Sequence, residues 1–237
     1  MATEKEQWVY APPPGALDFV QNNFISNALR VVIHCFVRLS FRYYHRFKVI
    51  HAERLNGLGA AIIVANHASH LDTLALFSSF PLAQVNSLRA LAAKDYFFSN
   101  PVSRSLAFFF ANVIPIDRRG MSPGSLGFAE KELTGGRKLI IYPEGTRSVD
   151  GEIHSFRPGI GLLALRSRVP VVPLYIEGTY ASQPKGMFFP RPRQIVVSVG
   201  EPVEYKPTDE SQMDAQGIAQ DLERRVRTLK EEWSYGH

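Results

Sequence analysis

The reading of the fold turns on Ala61-Ile62-Ile63-Val64-Ala65-Asn66-His67-Ala68-Ser69-His70-Leu71-Asp72. A short apolar, β-branched run is followed at once by polar residues, as where a strand of an α/β domain hands over to a loop. Such loops present chemistry. Some seventy residues later Leu139-Ile140-Ile141-Tyr142 precedes Pro143-Glu144-Gly145-Thr146-Arg147-Ser148 in the same way. His67 with Asp72 five positions on supplies a base and an orienter. The Glu144–Arg147 turn supplies polar and cationic groups for an anionic substrate. Together the two segments point to an enzyme.

Outward from these segments, short apolar runs alternate with helical patterns. Strands are predicted at 60–65, 88–93, 113–116, 138–142, 171–176 and 194–199, and helices at 69–80, 100–110, 122–133 and 159–168. Met213, Ile218, Leu222, Val226, Leu229 and Trp233 share one apolar face of a closing helix. This alternation predicts an α/β fold with a mostly parallel central sheet flanked by helices.

The chain has 237 residues, 45% hydrophobic and 21% charged, enough for one substantial domain with a small appendage. A single cysteine, Cys35, excludes an intramolecular disulfide and a cysteine-based zinc site, and suits a reducing compartment. The formal charge of +5 is concentrated. Residues 16–50 hold Arg30, Arg38, Arg42, Arg46 and Lys48 against Asp18, while the remainder is near balance. Basicity confined to one element argues against a nucleic-acid surface.

The boundaries expected from this pass are a polar, Pro-rich tail over 1–15, a basic helical segment over 16–50 and the α/β domain over 51–237. The tail lacks the basic start and apolar core of a secretory signal. Charges interrupt the helical segment too often for the ~20 predominantly apolar residues of a spanning helix. Within it Arg30, His34, Arg38, Arg42 and Arg46 recur every fourth residue among Val31, Phe36, Phe41 and Phe47. Such a stripe drifts about 40° per step. It suits an amphipathic helix lying in a membrane interface, or equally a helix packed on the domain with solvated arginines.

Five residues on an ideal helix would leave His67 and Asp72 about 140° apart. They meet only if His67 sits in the turn before a helix and Asp72 in its first turn, with Ser69 as N-cap. Asp72 then fixes the imidazole tautomer and leaves the other nitrogen as proton acceptor. An isolated pair with this spacing reads as a loop histidine and a helix-start carboxylate. His70 offers a second imidazole, and a His/His/Asp metal site is the weaker reading, since neither cysteine nor a further acidic-His cluster accompanies it. Gly145 allows a tight turn, Arg147 a guanidinium fork for phosphate and Thr146 a hydroxyl. Asp117-Arg118-Arg119-Gly120 follows the strand at 113–116 and adds two cations.

Taken in order, the segments resemble the glycerolipid acyltransferases, the family that includes bacterial 1-acylglycerol-3-phosphate acyltransferases. The matching blocks are Asn66–Asp72, Ile114-Pro115-Ile116-Asp117-Arg118, Tyr142–Ser148 continuing through Phe156-Arg157-Pro158-Gly159, and Val169-Pro170-Val171-Val172-Pro173. The resemblance implies transfer of a fatty acyl group from acyl-CoA or acyl-carrier protein to a lysophospholipid hydroxyl. The leading acceptor is 1-acylglycerol-3-phosphate, giving phosphatidic acid. In this reading His67 is the general base and Asp72 its orienter, while Arg118, Glu144, Gly145, Thr146 and Arg147 shape the acceptor site. No metal or redox cofactor is implied. Membrane-borne substrates favour docking of the basic segment, through Arg30, Arg38, Arg42 and Arg46, on anionic lipid at the cytoplasmic face of a membrane, as a peripheral or monotopic protein.

Three departures stand out. Tyr142 replaces a common Phe, Arg157 a common Lys, and glycines usual between Lys94 and the second block are missing. Phe97, Phe98 and Phe108–Phe110 are candidates for an acyl tunnel or for ordinary core. The same chemistry directed to another lysolipid, a glycolipid or a secondary-metabolite alcohol is the alternative reading, with thioester hydrolysis a further one. A catalytically silent lipid-binding module is the reading from another class.

Overall fold

A computed structural model of the chain describes residues 24–93, 114–116, 123–206 and 213–236. In chain order these form helix α1 (Phe24–Tyr44), strand β1 (Lys48–Ile50), a 3-10 turn (Ala52–Leu55), β2 (Ala61–Ala65), α2 (Leu71–Ser79), a second 3-10 turn (Leu82–Ser87) and β3 (Leu88–Ala93). Then come β4 (Ile114–Ile116), α3 (Pro123–Thr134), β5 (Lys138–Ile141), α4 (Gly159–Ser167), β6 (Val171–Glu177), the single-turn α5 (Thr179–Ser182), β7 (Val196–Val199) and α6 (Ala215–Gly236).

One seven-stranded sheet runs in the order β1-β7-β6-β2-β5-β3-β4. Every pairing is parallel except β6 with β7. The expected mostly parallel α/β architecture is therefore present. The expected helix at 100–110, the Arg118 loop and the phenylalanines at 97–98 and 108–110 lie outside the described residues. The sequence reading missed β1, whose three residues it assigned to the end of the basic helix. Three residues are too few to show a period. Lys48–Ile50 becomes a strand because β7 offers it a partner.

Strand β2 shows why the sheet is covered on both sides. All five residues are buried, with Ile63 and Ala65 entering one apolar cluster and Ile62 and Val64 the other. A strand between two layers has no polar face to show. One cluster takes Leu76, Phe77 and Phe80 from α2 and its end, and Phe41 from α1. The other takes Leu126 and Leu133 from α3, Ile160 and Leu163 from α4, and Ile218, Leu222 and Val226 from α6. Each such side chain contributes about 1.5–3 kcal/mol on burial. Gly161 lets α4 approach α6, since a Cβ there would lie 2.0 Å from the Ala215 carbonyl oxygen.

Helix α1 corrects two expectations. Its 21 residues, with a mean hydropathy of 1.4 over the best window, are long and apolar enough to cross a membrane by length and composition alone. The arginine stripe also does not face outward as a unit. Arg30 is fully buried, and its Nη1 donates to Asn27 Oδ1 (2.9 Å) and Asn86 Oδ1 (3.0 Å). Burial pulls its guanidinium down to about 10, so it stays charged at neutral pH. His34 is buried against the Phe77 ring. Arg38 reaches the end of α2, where its guanidinium donates to the Ser78 carbonyl (2.8 Å from Nη2) and to the Phe80 carbonyl. Arg30 and Arg38 thus hold α1 to the domain and are not docking cations here, whereas Arg42 and Arg46 are exposed. The 40° drift per step explains the split: the stripe winds from the packed face at Arg30 to the open one at Arg42. On the side opposite the packed face, Leu29, Val32, Phe36, Leu39 and Tyr43 are 47–77% exposed.

Candidate active site

Strands β2 and β5 are adjacent and in parallel register, Val64 beside Ile141, so the loops beginning at Asn66 and Tyr142 leave the same sheet edge side by side. That edge is the carboxyl end of the strands, where open α/β sheets place their ligands. Asn66 anchors the first loop. Its Nδ2 donates to Ile176 O (3.0 Å) and its Oδ1 accepts from Ile176 N (2.8 Å), tying the turn to β6.

His67 then turns toward α2. Its Nδ1 lies 2.8 Å from Asp72 Oδ2, the geometry expected of a histidine in the turn and an aspartate in the first turn of the helix. Asp72 is wholly buried, and the same oxygen accepts the N–H groups of Ala68 (2.7 Å) and Ser69 (2.8 Å). A carboxylate held this way accepts the Nδ1 proton of His67, which leaves the Nε2 lone pair to take a proton from a substrate. The His67 side chain is 19% exposed, enough for a substrate to reach that edge. Helix α2 is bounded at Leu71, and Ser69 Oγ makes the capping bond expected of it, accepting Leu71 N (3.2 Å), while it also donates to Gln183 O (2.8 Å).

The second loop packs behind the first. Tyr142 stacks on the His67 ring, centroids 4.0 Å apart and planes 12° from parallel. Its hydroxyl lies 3.0 Å from Thr73 Oγ1, next in sequence to Asp72. Desolvation, then the Asp72 charge, push the Tyr142 phenol well above its usual range, so it stays protonated. Ser148 N donates to His67 O at 2.7 Å.

Glu144, expected to shape the acceptor site, lies directly behind the histidine turn. It is buried, with Oε1 accepting His67 N (2.8 Å) and Oε2 accepting His154 N (3.1 Å). Both oxygens accept backbone N–H groups, so Glu144 positions the histidine loop. Burial raises its pKa, opposed by those two hydrogen bonds. Gly145 has φ +75°, and a Cβ there would meet the Arg157 guanidinium at 2.7 Å. Glycine both makes the turn and leaves room for that cation. Thr146 is exposed and Arg147 half-exposed. The His70 imidazole is lowered by desolvation, then by the nearby Arg147 and His67, and is neutral at neutral pH.

The structure thus brings His67 and Asp72 together, with Arg147 near His70 and the Arg157 guanidinium against Gly145 on the neighbouring loop. Arg118 lies outside the described residues. Asn66, Tyr142 and Ser148 have positioning roles that the sequence did not suggest, because their partners are distant along the chain or are backbone atoms. Among the described residues no group of three or more His, Cys, Asp and Glu side chains is placed to hold a metal ion.

The site is thus a His67–Asp72 pair, with Asp72 wholly buried and His67 partly exposed, at the carboxyl edge of a three-layer α/β sheet. Residues 46–177, more than half of the chain, match the acyltransferase family, and the chain belongs to it. The human 1-acyl-sn-glycerol-3-phosphate acyltransferase beta is 34% identical over 148 residues, covering 60% of this chain and 51% of that protein. The 1-acyl-sn-glycerol-3-phosphate acyltransferase of Limnanthes alba is 34% identical over 150 residues, covering 60% and 50%. The chain therefore spans about half the length of these relatives. The fold is shared with the 1-acyl-sn-glycerophosphate (LPA) acyltransferase PlsC of Thermotoga maritima, with a TM-score of 0.65 at 24% identity over 96% of this chain and 86% of that one.

Proposed function

We propose that the protein transfers a fatty acyl group from an acyl-CoA or acyl-carrier-protein thioester to the free hydroxyl of 1-acylglycerol-3-phosphate, giving phosphatidic acid. The observation that carries this reading is the His67–Asp72 contact, with Asp72 buried and fixed by two backbone N–H groups. His67 Nε2 takes the proton of the acceptor hydroxyl as its oxygen attacks the thioester carbonyl. The tetrahedral intermediate collapses by breaking the C–S bond, and the imidazolium returns the proton to the leaving sulfur. General-base assistance of this kind contributes roughly 10²–10⁴-fold. Arg147 and Arg157 meet the acceptor phosphate, with Arg118 a further candidate. Guanidinium forks match phosphate oxygens. The relatives' names support the choice of acceptor. No metal or redox cofactor enters the scheme.

The acceptor and product are bilayer lipids, so the reading includes peripheral attachment to the cytoplasmic face of a membrane. The exposed stripe of α1 with Arg42 and Arg46 is its docking face. Supplying the purified chain with acyl-CoA and a panel of lysolipids, while following thiol release and lipid product together, tests the activity. We expect acceptor-dependent thiol release with 1-acylglycerol-3-phosphate and its loss in His67→Ala. Unaltered turnover in that variant would overturn the mechanism, and thiol release without acylated lipid would show a hydrolase instead.

A further inference from the structure

Between α5 and β7 the chain makes an excursion over residues 183–194. Its tip carries Phe188 and Phe189, 83% and 77% exposed and packed edge to face on each other. Adjacent aromatic side chains left in water mark a surface that gains by being covered. The excursion also holds Lys185, Arg191 and Arg193, all exposed, and no acidic residue. Its base is closed by Arg191 N donating to Ser182 O (2.8 Å) and Ser182 Oγ donating to Arg191 O (2.7 Å). Gln183 Nε2 donates to Phe188 O (3.0 Å), so the aromatic tip is presented on a built loop.

This loop is joined to two other parts of the molecule. Tyr44 Oη donates to Pro190 O (3.0 Å) and His45 Nδ1 lies 3.2 Å from Arg193 O, at the C-terminal end of α1. On its other side Ser69 Oγ donates to Gln183 O (2.8 Å), from the turn that carries His67 and Asp72.

We propose that the Phe188–Phe189 tip inserts into the headgroup–acyl boundary of an anionic membrane, as a second lipid-contacting element beside α1. This rests on the membrane attachment proposed above and deepens it. Charge selects the occupant. The tip is ringed by Lys185, Arg191 and Arg193, and the adjoining end of α1 adds Arg42 and Arg46, with no acidic residue between Phe24 and Ala52. A bilayer with anionic headgroups offers a negative plane above an apolar layer, the complement of cations around aromatic side chains. Through the Ser69–Gln183 bond the inserted tip also sets how the histidine loop meets the surface from which a lysolipid is drawn.

The test uses the full chain and vesicles of phosphatidylcholine with or without phosphatidylglycerol. Phe188→Trp is expected to show a blue-shifted emission, quenched by brominated acyl chains, when phosphatidylglycerol vesicles are added. Phe188→Ser/Phe189→Ser is expected to lower vesicle affinity by roughly tenfold or more per residue removed, the scale of a lost phenylalanine partition. Its turnover of a short-chain, water-soluble thioester and acceptor should be unchanged. Tryptophan emission that stays unshifted on vesicle-bound protein would overturn the proposal while leaving attachment through α1 intact. A blue shift that appears without lipid and grows with protein concentration would also overturn it, in favour of a second copy of the chain. Membrane insertion of the tip in a protein without acyl transfer would uphold this inference and defeat the catalytic reading.

Discussion

Asp72 accepts three hydrogen bonds on one carboxylate oxygen, two of them from backbone N–H groups that fix its direction independently of the imidazole. In the proposed mechanism its task is to aim His67 and set the tautomer. Asp72→Asn should therefore lower kcat by about 10²–10⁴-fold with KM little changed, as removal of an orienting carboxylate does. Steady-state thiol release against acceptor concentration separates the two constants. Glu144 makes a different prediction. A carboxyl whose folded pKa is raised binds its proton more tightly in the native than in the unfolded chain. Its contribution to stability then falls as pH rises from the unfolded value, about 4.3, through the higher folded one. Glu144→Gln removes that decline and leaves one of the His67 and His154 N–H donors facing an amide nitrogen, a loss of about 1–3 kcal/mol. Denaturant midpoints measured upward from about pH 4 should show a flatter but lower profile for the variant.

Helix α1 is two structures on one cylinder. One face is built into the protein through Arg30, His34 and Phe41, and the opposite face is apolar and open. Arg38 satisfies carbonyls at the end of α2, groups that a helix terminus leaves without intrahelical partners. Arg38→Ala should cost about 1.5–3 kcal/mol of stability, the range for hydrogen bonds to a charged group. Arg42→Ala should leave stability within about 0.5 kcal/mol. It should weaken binding to anionic vesicles by about 1 kcal/mol, a shift that high salt abolishes. Chemical denaturation and vesicle sedimentation on the same two variants check the contrast. Equal behaviour of the pair would mean that the two faces are not distinct.

At the scale of the whole molecule, the basic segment is not an appendage that can be removed. Phe41 belongs to the apolar cluster on the α2 side of the sheet, and Arg30 is held by Asn86 from the turn before β3. Deleting residues 1–45 should destabilise the domain by at least about 3 kcal/mol, the scale of losing one buried phenylalanine. A thermal melt of the truncated chain measures this directly. Loss of membrane binding on truncation would consequently report unfolding as well as lost docking, and point variants on the open face are the cleaner probe. Helix α1, from the expected segment over 16–50, thus packs into the same core as the domain expected over 51–237.

Much of this was legible from local pattern. Continuous apolar runs at β2, β5 and β6 and the helical period of α6 declare the α/β sheet, because a strand buried between layers is apolar throughout while a helix packed on one side repeats its apolar face. The five-residue spacing of His67 and Asp72 admits one arrangement in which they touch, and the chain adopts it. The tertiary structure alone decided which arginines of α1 turn inward. It also decided that Glu144 serves backbone 77 residues away, and that a loop whose carbonyl accepts from Tyr44, 146 residues earlier, stands beside the histidine turn. Periodicity records only how much of each element is buried. It cannot say against what, because a partner is chosen by packing between elements that are near in space and far apart in the chain.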